Sequence, residues 1–297
     1  MKRILILNDG RAGHLNQSIA LAKYLAQPYD VVEVLPKYRW SKAFTYFLDK
    51  LGIRTTLLFD VVLHSEAYSL VVGTGSWTYY MVKVLGKALD ARTITMMLPR
   101  GYKYDFDTIF AQSHDTPPKQ ENIIEIPANF SYIEPQGLYV AKKHAIGIII
   151  GGDNKIFTIS KKKLQEQLDF IVKHYQGYEI AITTSPRTSG AVERLIESYH
   201  FEYEVIFSKN PINPIPDFME LCETVFITGD STSMISEAIA YGVSNVIVLP
   251  LESEEDNKFE RFVKSLEREG YLHIFDGTIK NRNKKIDFRE YLRGLDL

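Results

Sequence analysis

The sequence predicts an α/β protein of two doubly wound, Rossmann-like domains facing a central cleft. Three observations carry that expectation. Short apolar runs rich in β-branched residues alternate with segments of helical period, the pattern of parallel strands joined by crossover helices. The alternation starts afresh near residue 138. Between the two series lies "PANFSYIEPQG" (127–137), where two prolines and a glycine among polar residues read as a linker.

The elements follow in order. The first series has strands at 2–8 ("KRILILN"), 29–35 ("YDVVEVL"), 68–75 ("YSLVVGTG"), 91–98 ("ARTITMML"), 106–113 ("FDTIFAQS") and 122–127 ("NIIEIP"). Its helices are "LNQSIALAKYLA" (15–26) and "WTYYMVKVLGKAL" (77–89). The second series alternates strictly. Strands "HAIGIIIGG", "YEIAITTS", "EYEVIFS", "TVFITGD" and "NVIVLP" are followed in turn by helices "SKKKLQEQLDFIVKHY", "GAVERLIESYH", "PIPDFMELCE", "SMISEAIAYG" and "NKFERFVKSLEREG". This gives an N-terminal domain at 1–137 and a C-terminal domain at 138–297. The closing "IDFREYLRGL" reads as a short helix that packs on either domain, including back on the first.

With 297 residues and 45% hydrophobic content, the chain is long enough for two ordinary cores. A formal charge of −2 argues against a general nucleic-acid binder. No apolar run reaches eighteen residues and no signal-peptide pattern opens the chain, so a cytoplasmic protein is expected. The single cysteine, Cys222, excludes an intrachain disulfide and reads as a packed small hydrophobe.

Candidate chemistry lies in five turns where strands end, two of them taken as a pair. In the turn Asn8–Gln17, Gly10 and Gly13 permit positive φ or close backbone approach, and the helix that follows offers its N-terminus to an anion. His14 adds a proton that moves near neutral pH, with Asp9, Asn16 and Gln17 as polar partners. The plainer alternative is a capped helix start with His14 at the surface. The turn Val71–Trp77 offers Gly75 and Ser76 either to a phosphate or to a tight turn with Ser76 as helix cap.

In the second domain, "IIGGDNK" (149–155) supplies Gly152, Asp153 and Lys155, and "ITTSPRT" (182–188) supplies Ser185 and Arg187. Small residues there let a diphosphate approach the backbone, and a guanidinium can hold it by two hydrogen bonds. Solvent-facing cations on loops are the alternative. In "FITGDSTSMISEAIAYG" (226–242), Gly229 and Asp230 lead to the hydroxyls of Ser231, Thr232 and Ser233 at a helix start. Glu237 lies one turn inside on the face of Ser233, where a carboxylate can accept both hydroxyls of a ribose. Ordinary capping uses the same residue types.

"NDGRAGHLNQSIALA", "QSHDTPP" before "NIIEIPANF", "TTSPRT" and "TGDSTSMISEAIAYG" together resemble the elongated-mitochondria (mitochondrial fission) family. More distantly, the layout is similar to the GT-B glycosyltransferases. Within that group it resembles the peptidoglycan transferase that moves N-acetylglucosamine from a uridine diphosphate donor to a lipid-linked acceptor. That likeness places His14 on the histidine of a glycine-rich turn and implies a donor wall including Gly152, Arg187, Ser231, Thr232 and Glu237. It implies a nucleotide-diphosphate sugar, a UDP-sugar, as substrate of the C-terminal domain, with the acceptor on the N-terminal side and no metal or other cofactor. His14 and Asp9 are then the catalytic candidates. A nucleotide-sugar epimerase or hydrolase remains open, as does a non-enzymatic interaction protein on a GT-B scaffold, which the fission role of the plant members implies.

One region falls outside this scheme. Residues 36–60 mix Lys37, Arg39, Lys42, Lys50 and Arg54 with Tyr38, Trp40, Phe44, Tyr46 and Phe47. Basic residues among aromatics suit peripheral contact with the inner face of an anionic membrane. A helical hairpin with its aromatics on domain 1 and its cations solvated is the alternative.

Overall fold

The computed structural model describes residues 3–63, 67–253, 257–282 and 284–295. It divides into two compact units, residues 1–132 with 287–297, and residues 133–286. The first unit ends before residue 137 for a physical reason. The backbone N–H groups of Gln136, Gly137 and Leu138 all donate to the Asp217 carboxylate at 2.8–2.9 Å, which ties this stretch into the second unit.

Unit 1 is a six-stranded, wholly parallel sheet: β1 Arg3–Asn8, β2 Tyr29–Glu33, β3 Tyr68–Gly73, β4 Arg92–Thr95, β5 Thr108–Gln112 and β6 Ile123–Ile126. Their order is β2-β1-β3-β4-β5-β6. Ile4 to Leu7 of β1 are buried without alternation, as expected of a strand covered on both faces. Helices α1 (Ala12–Tyr24), α2 (Ser41–Leu51) and α3 (Tyr79–Leu89) belong to this unit. α2 occupies the basic, aromatic region and stops where Gly52 takes φ +73°. The closing segment is a 3₁₀ turn, Phe288–Leu292, in the same unit. Its Phe288 ring lies 4.4 Å from that of Phe130 and 6.0 Å from that of Tyr24.

Unit 2 repeats the architecture with β7 Ala145–Ile150, β8 Glu179–Thr184, β9 Tyr203–Val205, β10 Thr224–Thr228, β11 Asn245–Leu249 and β12 His273–Ile274. The order β9-β8-β7-β10-β11-β12 is again all parallel. Counted within the unit it is 3-2-1-4-5-6, the dinucleotide-binding order whose ligand sits where the strand order reverses. Its helices are α4 (Lys161–His174), α5 (Gly190–Glu197), α6 (Ile215–Leu221), α7 (Thr232–Ala240) and α8 (Lys258–Glu269). The two-residue β12 was not anticipated from the sequence. Cys222 is buried in this unit, and burial pushes its thiol up to about 12.

Candidate functional site

In unit 1 the order reverses at β1, which has β2 on one side and β3 on the other. Gly10, with φ +79°, turns the chain out of β1. Asp9 is folded inward, its side chain 1% exposed, and its Oδ1 accepts from the Arg11 N–H at 3.2 Å. His14 sits in the first turn of α1, with Nδ1 2.9 Å from Asp9 Oδ2. An ionised carboxylate only accepts, so beside it Nδ1 is the donor. Among the described residues Nε2 has no hydrogen-bond partner. The buried carboxylate thus fixes one nitrogen of the imidazole and leaves the other open.

The turn after β3 serves this pair. A Cβ on Gly75 would collide with His14 Nδ1 and come within 2.9 Å of Asp9 Oδ2, and Gly75 has φ +88°. The imidazole fills the space that a side chain at position 75 would need. Ser76 is not a helix cap, because α3 begins three residues later. The Ser76 carbonyl instead accepts from the Tyr102 hydroxyl at 3.2 Å. Gly13 lies inside α1 and accepts from Gln17 Nε2 at 3.3 Å; Gln17 is buried and Asn16 exposed. α1 itself starts without a side-chain cap.

In unit 2 the reversal falls between β7 and β10, and Asp230 organises it. Its fully buried carboxylate accepts from Thr228 Oγ1 at 2.7 Å, from the Gly152 N–H at 3.1 Å and from Arg187 Nη2 at 2.7 Å. Arg187 Nη1 reaches the carbonyls of Gly152 and Asp153 at 3.2 and 3.4 Å, leaving its side chain 42% exposed. A Cβ on Gly151 would run into the Asp230 carboxylate, and one on Gly152 into the Arg187 carbonyl. The space a Cβ would need at these glycines is taken by neighbouring loops, Asp230 at Gly151 and the Arg187 backbone at Gly152. Asp230 faces inward as a structural clasp, and Arg187 is held by it rather than left as a free fork.

Ser185 Oγ accepts from the Arg187 N–H at 3.2 Å, and Asp153 Oδ1 accepts from the Ile159 N–H at 2.8 Å, so both shape turns. Lys155 is exposed and makes no ion pair among the described residues. Gly229 lines an apolar pocket of about 240 Å³ with Phe157, Val248, Pro250 and Phe259. The two phenylalanine rings meet edge to face at 5.6 Å. Neither was singled out from sequence, because nothing local marks a pocket wall assembled from two distant segments.

α7 begins at Ser231, whose Oγ accepts from the Met234 N–H at 3.4 Å, the ordinary cap; Thr232 and Ser233 form the half-buried first turn. One turn further, burial pushes the Glu237 carboxyl up to about 7. Among the described residues it has no hydrogen bond or ion pair to offset that burial. The far end of α7 is fixed by Lys285, whose Nζ donates to the carbonyls of Ala238 and Ser244 at 2.7 and 2.9 Å.

Known structures share this architecture. MurG of Acinetobacter baumannii is 15% identical with a TM-score of 0.50, over 95% of this chain and 87% of that one. The glycosyltransferase SnogD from Streptomyces nogalater is 13% identical with a TM-score of 0.52, over 93% and 87%. At such identities the likeness establishes the fold, an α/β GT-B scaffold with parallel sheets. An uncharacterized protein of Rickettsia prowazekii is 24% identical over 93% of this chain and 91% of its own length. The model of the mitochondrial fission ELM1 family matches residues 12–292, and the chain belongs to that family.

Proposed function

We propose that this protein is a GT-B-type glycosyltransferase that takes a UDP-sugar on unit 2 and activates the acceptor hydroxyl with His14 and Asp9 of unit 1. The observation that carries the reading is Glu237. It is a half-buried carboxylate without a partner among the described residues, one turn inside a helix that starts where the strand order reverses. Such a group costs stability when ionised and is repaid when a ligand brings donors to it. A ribose diol supplies two.

In this reading His14 Nε2 takes the acceptor proton, and Asp9 stabilises the imidazolium that results. The acceptor oxygen bonds to the anomeric carbon, whose bond to the diphosphate breaks with both electrons leaving on the nucleotide. The first turn of α7 and Lys155 take up the developing charge. Arg187 contributes a fixed positive charge, its fork being committed to Asp230 and two carbonyls. A lipid-linked hydroxyl compound is the acceptor class the resemblance implies.

The test is calorimetric titration with UDP and with its 2′,3′-dideoxy analogue. Wild type should prefer UDP by at least tenfold, and Glu237→Gln should bind the two alike. Equal binding of both by wild type would remove Glu237 from the site. Sugar released without an acceptor would assign hydrolysis instead, and no nucleotide binding at all would favour the interaction-protein reading.

A further inference from the structure

Helix α2 is inside out. The residues it turns inward are Ser41, Thr45, Leu48 and Asp49, three of them polar. Thr45 Oγ1 bonds the Tyr102 hydroxyl at 2.9 Å. Asp49 accepts from Lys83 Nζ at 2.7 Å and from the Lys103 N–H at 2.8 Å, with Arg54 Nη1 at 3.2 Å. The large apolar residues face outward: Trp40, Phe44, Phe47 and Leu51 are 54%, 42%, 54% and 57% exposed. At about 100° per residue these four fall within an arc of about 60°, one continuous stripe. Their rings also touch in sequence, Tyr38 stacking on Trp40 at 5.1 Å, Trp40 meeting Phe44 at 5.7 Å, and Phe44 meeting Phe47 at 5.9 Å.

The charges beside the stripe have one sign. Arg39 and Lys50 are exposed and carry no ion pair among the described residues, while Lys42 lies on the opposite face with its Nζ 5.1 Å above the Trp77 ring. The acids of this region are spent elsewhere: Asp49 is buried under Lys83 and Arg54, and Asp60 is 3.5 Å from Lys37. We propose that α2 seats unit 1 on the surface of an anionic lipid bilayer. It lies flat, with its aromatic stripe at the boundary of head groups and acyl chains and Arg39 and Lys50, which flank the stripe on one side, at the lipid phosphates. No described helix is long and apolar enough to cross a membrane, so the contact is interfacial. A second copy fits the surface less well, because a two-fold pairing of the stripe would set these same cations against their equivalents. The inference rests on α2 alone and stands whether or not the chain transfers sugar.

Sedimentation of the whole protein with vesicles tests it. Binding to phosphatidylcholine vesicles containing phosphatidylglycerol should exceed binding to phosphatidylcholine alone by roughly thirtyfold, from about two cations at the surface. Phe47→Glu and the double change Arg39→Ala, Lys50→Ala should each lower it by more than tenfold with unaltered thermal melting. Lipids brominated along the chain should quench tryptophan fluorescence in wild type far more than in Trp40→Phe. Equal binding to both vesicle types, no binding to either, or full binding by Phe47→Glu would overturn the proposal. So would a dimer in solution that Phe47→Glu dissociates while vesicle binding is absent.

Discussion

Replacing Glu237 by Gln isolates the energetic cost of one half-buried, unpaired carboxylate. Burial raises this group from its ordinary 4.5 to about 7, with no opposing interaction. Between those two values the unfolded chain has released the proton and the folded chain still holds it, so wild-type stability falls as pH rises through that window. The full penalty, present above pH 7, is about 3 kcal/mol. Gln carries no such proton. Urea unfolding of the two proteins from about pH 4 to about pH 8 at fixed ionic strength should therefore give curves that coincide in acid and diverge with pH, the variant becoming the more stable by up to about 3 kcal/mol. Saturating UDP should narrow the gap, because ribose hydroxyls that donate to the ionised carboxylate favour its deprotonation. Near neutral pH the wild type should release a fraction of a proton on binding, and the variant none. A stability difference that is the same at every pH would refute the burial argument, and proton release unchanged in Glu237→Gln would refute its link to the ligand.

Other substitutions test the two clusters. Asp9→Asn should lower turnover by about 10²–10⁴ without unfolding the protein, since it alters the proton placement on His14; steady-state rates with circular dichroism as control decide it. Gly75→Ala forces a side chain at φ +88° into the imidazole and should cost about 1–3 kcal/mol in thermal unfolding while shifting the His14 ring resonances. Asp230→Ala leaves the Gly152 N–H and the Arg187 guanidinium without their acceptor, and a loss of about 2–3 kcal/mol in urea unfolding is expected. Lys285, which burial brings down to about 8, holds the end of α7. Between that value and 10.5 the unfolded chain binds more protons, so wild-type stability should rise with pH there, and Lys285→Met should abolish the rise.

The alternation of apolar runs and helical segments made both sheets legible, because fully buried parallel strands such as Ile4–Leu7 and Ile146–Ile150 need unbroken apolar residues. The two-residue β12 left no such trace. The turns were visible as glycine-bearing interruptions, but the purpose of each glycine was not. Gly75, Gly151 and Gly152 are small because a distant residue occupies the vacated space, and that residue is named only by the fold. The aromatic, basic composition of α2 was equally plain from sequence. Its reversed polarity was hidden, since Ser41, Thr45 and Asp49 look like surface residues until Tyr102, Lys83 and Arg54 are found over them.

The return of residues 287–295 to unit 1 makes unit 2 an insertion in the middle of another body. The ribosome therefore finishes every residue of the inserted body before it delivers Phe288, the ring that Tyr24 and Phe130 await. The lobe begun before the inserted one is thus closed only after it has been made.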